Sequence, residues 1–223
     1  MNNLLMNKKK IILDKHSSVI QMSNKVTALQ RKSFNVLILN AKTEIKQKLN
    51  YKFEIQINDI MRLIGLDKSK NYNEVKKLLK ELEDIKVEYN ILSKDKKHKW
   101  GTFRLLAGAE IENNKLYYSF PHQIIDMLLD PNIFAKINLV IIKGLKSKYS
   151  ITLYELLEDY KNIKKLPKMS IKKFREIMGI EEKQYYKFSA LKKYVIPKLN
   201  NERNYKYFLS YPYLIRVSIF FKP

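Results

Sequence analysis

The sequence predicts an α+β fold built from two tandem copies of one unit, and three observations carry that prediction. First, Ser147–Asn200 parses as three helices. Tyr149, Leu153, Leu156, Leu157 and Tyr160 recur at helical spacing between about Lys148 and Ile163. Ser170 stands where an N-cap would, ahead of the apolar face Ile171, Phe174, Ile177 and Met178 of a short helix that stops at Gly179. After the turn Glu181–Gln184, a third helix turns Phe188, Leu191 and Val195 inward. A short helix, a turn containing glycine and a second helix with a basic outer face form the helix-turn-helix pattern. Second, DIMRLIGL (Asp59–Leu66) matches KFREIMGI (Lys173–Ile180), with Gly65 and Gly179 114 residues apart. The helices that follow match at an offset of 113: Val75 with Phe188, Leu78 with Leu191, Leu82 with Val195. Third, each copy is preceded by a long helix and followed by alternating segments that read as a β-hairpin. Long helix, short helix, turn, helix and two-stranded wing describe a winged helix, so two tandem winged-helix domains related by an internal repeat are expected.

Taken in order, residues 1–22 read as a basic N-terminal arm, because MNNLLMNKKKIILDK mixes charge and apolar residues without a clear period. Domain 1 is expected over 23–138. Leu29, Phe34, Leu37, Ile38, Ala41 and Ile45 mark an amphipathic helix from Thr27 to about Lys46. Phe53, Ile55 and Ile57 alternate as a short strand, and Asn58 is placed to cap a helix over Asp59–Ile64 that stops at Gly65. A helix over Asn71–Asp84 carries Val75, Leu78, Leu79 and Leu82 inward. Val87, Tyr89 and Ile91 alternate up to the polar turn SKDKKHK, from which Trp100–Ala107 runs back, and a further strand, Leu116–Phe120, follows a turn at Asn113-Asn114. Phe120-Pro121 opens a helix ending near Asp130-Pro131, and 132–146 leads into domain 2, expected over 139–223. With no Gly/Ser-rich linker in the chain, Leu139–Ser147 reads as a packed junction. Tyr205–Tyr211 and Leu214–Phe221 form the second wing around Pro212.

Charge sets the partner class. The 223 residues carry 44 Lys plus Arg against 22 Asp plus Glu, a net charge of +22. Such an excess favours a polyanion, nucleic acid before membrane, since no basic segment is paired with a lipid anchor. Only six of the 44 basic residues are arginine, and abundant Lys, Asn, Ile and Tyr is also what an AT-rich coding bias yields, so composition accounts for part of the excess. With 45% hydrophobic residues the chain can build real cores. It has no cysteine, no apolar run of membrane-spanning length and no signal-peptide pattern, which points to the reducing cytoplasm.

Enzyme chemistry finds little support, and no catalytic residue, cofactor or metal site is expected. There is no GxxxxGK loop, and His16, His98 and His122 are isolated. A rolling-circle nicking site would need paired histidines beside a tyrosine nucleophile, and the histidine pair is missing. Glu155, Glu158 and Asp159 cluster on one helix, where they read as a solvated face balancing nearby lysines.

The candidate DNA contacts are therefore basic and polar. On the third helix of domain 2 they are Lys183, Tyr186, Lys187, Ser189, Lys192 and Lys193, whose N-terminal members would approach base edges in the major groove. Of Tyr185 and Tyr186, one is expected to pack beneath the helix. In domain 1 the equivalent face holds Asn73, Lys76, Lys77 and Lys80, diluted by Glu74 and Glu81, and suits phosphate contact or dimer pairing better than base reading. Lys96 and Lys97 in the first wing and Lys206 in the second suit backbone or minor-groove contact.

At this point the chain resembles the iteron-binding plasmid replication initiators. The residues that carry the resemblance are SKYSITLYELLEDY (Ser147–Tyr160), then Ile171, Phe174, Arg175, Ile177, Gly179 and Ile180, then Tyr185, Phe188, Leu191, Lys192, Val195 and Ile196, with a looser match through Leu29–Ala41 and the LIGL turn. The recognition helix departs from the family in carrying Lys187, Lys192 and Lys193 where arginine is usual, and a lysine is a point donor where arginine offers a planar fork. The resemblance implies a sequence-specific binder of direct repeats in double-stranded DNA at a plasmid origin. It further implies a monomer–dimer equilibrium through domain 1, recruitment of the host replication initiator and helicase, and no catalysis. A tandem winged-helix repressor with no replication role is the alternative.

Overall fold

In the computed structural model the described residues are 10–20, 25–45, 51–66, 72–92, 98–129, 134–162, 170–181, 183–185 and 190. The centre of the fold is α2 (Ala28–Glu44), a 17-residue helix buried along most of its circumference. Its start is fixed by a capping box: Thr27 Oγ1 accepts from the Gln30 amide at 3.2 Å, and the Gln30 side chain accepts from the Thr27 amide at 2.7 Å. Around it pack β1 (Ile12–His16), β2 (Lys52–Gln56), α3 (Ile57–Ile64), α4 (Tyr72–Asp84), α6 (Leu139–Gly144) and α7 (Lys148–Asp159).

A three-stranded antiparallel sheet closes one side, in the order β2-β6-β5, with β5 at Gly108–Glu112 and β6 at Lys115–Ser119. Phe53 pairs with Tyr118 and Ile55 with Leu116, so the inward residues of β2 and β6 face α2 together. The Tyr118 hydroxyl donates to the Leu37 carbonyl at 2.7 Å and accepts from Asn40 Nδ2 at 3.1 Å, and burial pushes its ionisation well above the usual tyrosine range. Asn113 and Asn114 sit at φ 48° and 62° between β5 and β6, the two left-handed residues that a tight type I′ hairpin demands. The strand β5 was not expected. Asn58 also fails as a cap: β2 runs straight into α3, whose N-cap is Gln56, and the Ile57 amide is satisfied by the Asn114 carbonyl at 3.1 Å.

The first wing is the antiparallel pair β3 (Lys86–Leu92) and β4 (His98–Arg104), which follows α4 as expected. Next comes α5 (His122–Leu129). The segment expected only to lead into domain 2 contains a strand, β7 (Phe134–Asn138), and then α6.

That strand overturns part of the N-terminal reading. Residues 12–16 are not an arm: β1 pairs with β7 from Ile12 against Asn138 to His16 against Phe134, and a one-turn helix, α1 (Ser17–Ile20), follows. Ile11, Leu13, Val19 and Ile20 are all buried. The inward alternation is Ile11, Leu13, Lys15, so a lysine at a core position hides the strand period from a hydropathy reading.

The counter-charge for that lysine is Glu155, which is a second correction. It lies on α7 with 0% exposure, not on a solvated face. Its Oε2 accepts from Lys15 Nζ at 2.9 Å and from Arg31 at 2.9 and 2.6 Å, and its Oε1 accepts from Asn35 Nδ2 at 2.6 Å. Asn35 Oδ1 accepts in turn from Lys15 Nζ at 2.8 Å. Burial alone would raise the Glu155 carboxyl, but Arg31 and Lys15 hold it down at about 2. Burial pulls Lys15 down to about 8 against the attraction of Glu155. One turn on, Asp159 accepts from the Ser17 hydroxyl. The cluster stitches β1, α2 and α7 together, and a single apolar core continues from Ile11 to Ile180.

Candidate nucleic-acid interface

The helix α4 follows the glycine turn of α3. Val75, Leu78, Leu79 and Leu82 lock one face to the core, which forces Asn73, Lys76, Lys77 and Lys80 onto the opposite, exposed face. Those four predicted contacts are thus brought together on one helix. Lys76 Nζ lies 5.2 Å from the centre of the Tyr72 ring. Lys77 pairs only loosely with Glu81, at 3.9 Å and with its own side chain 79% exposed, which leaves it available to a phosphate. The dilution expected from Glu81 is partial, because its Oε2 is turned to Gln30 Nε2 of α2 at 2.7 Å.

Farther along, α7 is capped by Ser147, whose Oγ accepts from the Tyr149 amide at 3.2 Å. Next is α8 (Ile171–Ile177), capped by Ser170, whose Oγ accepts from the Lys173 amide at 3.1 Å. Phe174 and Ile177 anchor α8 in the core, and Lys172 and Lys173 are exposed. Gly179 ends the helical turn at φ 61°, with the Ile180 amide donating to the Arg175 carbonyl and the Gly179 amide to that of Glu176, at 2.9 and 3.0 Å. Gly65 ends α3 in the same left-handed way at φ 91°, with the Leu66 amide reaching the Met61 carbonyl at 2.7 Å. The two glycines matched in sequence therefore share one backbone role.

Lys183 is exposed in the turn after α8. Tyr185 packs: it is partly buried against the core, with its ring 6.5 Å from that of Tyr149 in an edge-to-face arrangement. Burial, and next the charge and hydrogen-bond interaction with the Tyr185 phenol, push the Tyr149 hydroxyl up to about 12. Tyr186, Lys187, Ser189, Lys192, Lys193, Lys96, Lys97 and Lys206 lie outside the residues whose side chains are described, as does the second wing.

Sequence reading missed two residues here. Lys148 Nζ donates to the Gly179 carbonyl at 3.0 Å, and burial lowers its basicity. Arg175 counted only as part of a motif, yet its guanidinium reaches the carbonyls of three residues in the 181–185 turn. Both belong to a helix start or a helix face where a basic residue is ordinarily solvated, so the sequence held no signal for either. Among the described residues no group of three or more His, Asp or Glu could hold a metal ion, and no helix is long and apolar enough to cross a membrane.

The sequence profile of the family described as Initiator Replication protein, WH1, matches residues 12–158, more than half of the chain. A search of curated protein sequences gives no match. Among solved structures, the Pi initiator protein in complex with iteron DNA is similar at a TM-score of 0.61 and 19% identity, over 87% of this chain and 86% of that one. At that identity the likeness shows the fold. Domains 2 and 3 of RctB give TM-scores of 0.41 (15% identity, 59% of this chain and 53% of that one) and 0.47 (13%, 78% and 68%), too low to argue from.

Proposed function

The chain belongs to the Initiator Replication protein family, and we propose that it starts plasmid replication by binding direct repeats in double-stranded DNA at the origin. The family match over residues 12–158 carries this reading. The fold it shares with the Pi initiator protein, solved on iteron DNA, and the net charge of +22 support it. The same match favours it over a tandem winged-helix repressor with no replication role.

The division of labour follows from the two helix-turn-helix units. The lysine face of α4 supplies sequence-independent phosphate attraction, since three exposed ammonium groups and Asn73 offer point donors and no planar fork. Base reading falls to the segment after the 181–185 turn, through Lys187, Ser189, Lys192 and Lys193, with Lys183 and Tyr186 at its approach. Lys96, Lys97 and Lys206 in the wings hold the flanking backbone. Domain 1 also serves as the self-association surface of a monomer–dimer equilibrium. The bound protein, acting in the cytoplasm, recruits the host initiator and helicase and catalyses nothing itself.

Footprinting on the DNA flanking the gene tests the core of this reading: protection should fall on direct repeats of about two helical turns, the length the family resemblance implies. A duplex carrying that repeat should bind far more tightly than a scrambled one, and Lys187→Ala with Lys193→Ala should erase the difference while the fold persists. Retained discrimination in the double variant would remove the base-reading assignment. Log affinity that stays flat against log salt would remove DNA as the partner, because each neutralised phosphate contributes a slope of about −0.9.

A further inference from the structure

The arginine at the end of α8 is turned onto the backbone that follows its helix. Arg175 Nη1 donates to the Tyr185 carbonyl at 2.8 Å, and Nη2 donates to the carbonyls of Glu181 and Gln184 at 2.8 and 2.5 Å. Its own carbonyl receives the Ile180 amide. One residue thus fastens the glycine turn through its backbone and the following turn through its side chain. Three separate N–H groups spread over three carbonyls is a task for a rigid planar fork, which a lysine ammonium cannot reproduce.

The turn being held is a strained one. Tyr185 sits at φ 49°, a left-handed conformation that a side-chain-bearing residue adopts only when its surroundings impose it. Arg175 grips its carbonyl, and the Tyr149 ring abuts its own. The first unit provides the contrast. At the same 114-residue offset that aligns Gly65 with Gly179, Arg175 falls on Met61. The Met61 carbonyl closes its glycine turn in the same way, but its thioether can donate nothing to the chain beyond. The fork is present in the unit assigned to base reading, and its counterpart in the unit assigned to phosphate attraction lacks it.

We propose that Arg175 is a positioning residue for base recognition: its guanidinium fixes the 181–185 turn, and with it the direction in which the recognition segment leaves Tyr185, without itself touching DNA. The inference rests on the function proposed above. Hydrogen bonds to base edges tolerate displacements of only about 0.5 Å, whereas attraction to phosphates survives much larger ones. Loosening the turn therefore removes discrimination and spares general affinity.

The test uses the full chain carrying Arg175→Met (the residue of the first unit) or Arg175→Lys. Fluorescence anisotropy follows binding to a duplex bearing the footprinted repeat and to a scrambled duplex of equal composition. Both variants are expected to lose about tenfold or more in affinity for the repeat, the equivalent of one lost base contact, with little change on scrambled DNA and an unchanged salt slope. Hydrogen–deuterium exchange of peptides covering 181–185 should quicken in both variants while α2 stays protected. Full discrimination in Arg175→Lys, or in either variant a salt slope shallower by about 0.9, would make Arg175 a phosphate contact and overturn the inference. So would unchanged discrimination in Arg175→Met. A wild-type chain that does not discriminate overturns the proposed function instead, and in that case unchanged exchange at 181–185 would overturn the turn-fixing role as well.

Discussion

Replacing Glu155 by glutamine isolates what the buried cluster contributes. The substitution is nearly isosteric, so it opens no cavity, but it withdraws the carboxylate that Lys15 and Arg31 both bond at 2.6–2.9 Å. Removing one member of a buried ion pair strands the remaining charge and costs about 3–5 kcal/mol. Lys15, already drawn down to about 8, can release its proton once Glu155 is gone, and Arg31 cannot; that places the expected loss near the lower end, about 3 kcal/mol. Against a total stability of about 5–15 kcal/mol, the shift is readily seen as a lower urea midpoint with an unchanged slope. The pH profile supplies a second signature. Glu155 has a folded value of about 2, below its ordinary 4.5, so the unfolded chain binds the extra proton between them. Its stabilisation is complete above pH 4.5 and is lost as the pH falls toward 2, by about 3 kcal/mol at 1.36 kcal/mol per pH unit. Lys15 is also depressed, so the unfolded chain again binds more protons between pH 8 and 10.5, and stability rises with pH across that window. Glu155→Gln should erase the acid limb. A fourfold apolar replacement, Lys15→Met with Arg31→Met, Asn35→Leu and Glu155→Leu, should recover most of the lost stability, because apolar packing commonly matches a buried ion cluster. A Glu155→Gln protein within about 0.5 kcal/mol of wild type, with its acid limb intact, would refute this account of the junction.

Two further outcomes follow from the first unit. Lys76→Ala, Lys77→Ala and Lys80→Ala together should weaken binding to repeat and scrambled DNA by the same factor and make the salt slope shallower by about 2–3, as measured by anisotropy titrations over a range of salt. Gly65→Ala should cost about 1–2 kcal/mol in thermal unfolding, because an alanine at φ 91° is strained; the added Cβ would meet Lys143 only at ordinary contact distance, 3.7 Å, so backbone conformation is the cause and not crowding.

What the sequence disclosed and what it concealed divide along the range of the interactions. Helices α2, α4, α7 and α8, the glycine turns and the first wing are written in local periodicity and caps, and each stands within a few residues of its expected place. The strand β1 is concealed because its pairing partner is 118–126 residues away and its third inward residue is Lys15. Glu155 is concealed for the same reason: its neighbours on α7 give it the look of a helix surface, and the two cations that bury it come from the far end of the chain. The α4 half of the candidate interface was legible because an amphipathic helix announces both of its faces at once. The role of Arg175 was not, since what it holds is backbone, and backbone carbonyls have no signature in a sequence.

The pairing of β1 with β7 also bears on how the molecule is made. Residues 12–16 leave the ribosome before their strand partner at 134–138 and before the carboxylate at 155 that neutralises Lys15 and Arg31. Closing contacts across such separations slows folding, although the loop-closure cost grows only slowly with length. Until β7 and α7 emerge, the nascent chain holds an unpaired strand edge and two uncompensated cations destined for its core. The body around α2 is finished only once α7 has emerged, so β1, α2 and α7 fold as one cooperative event.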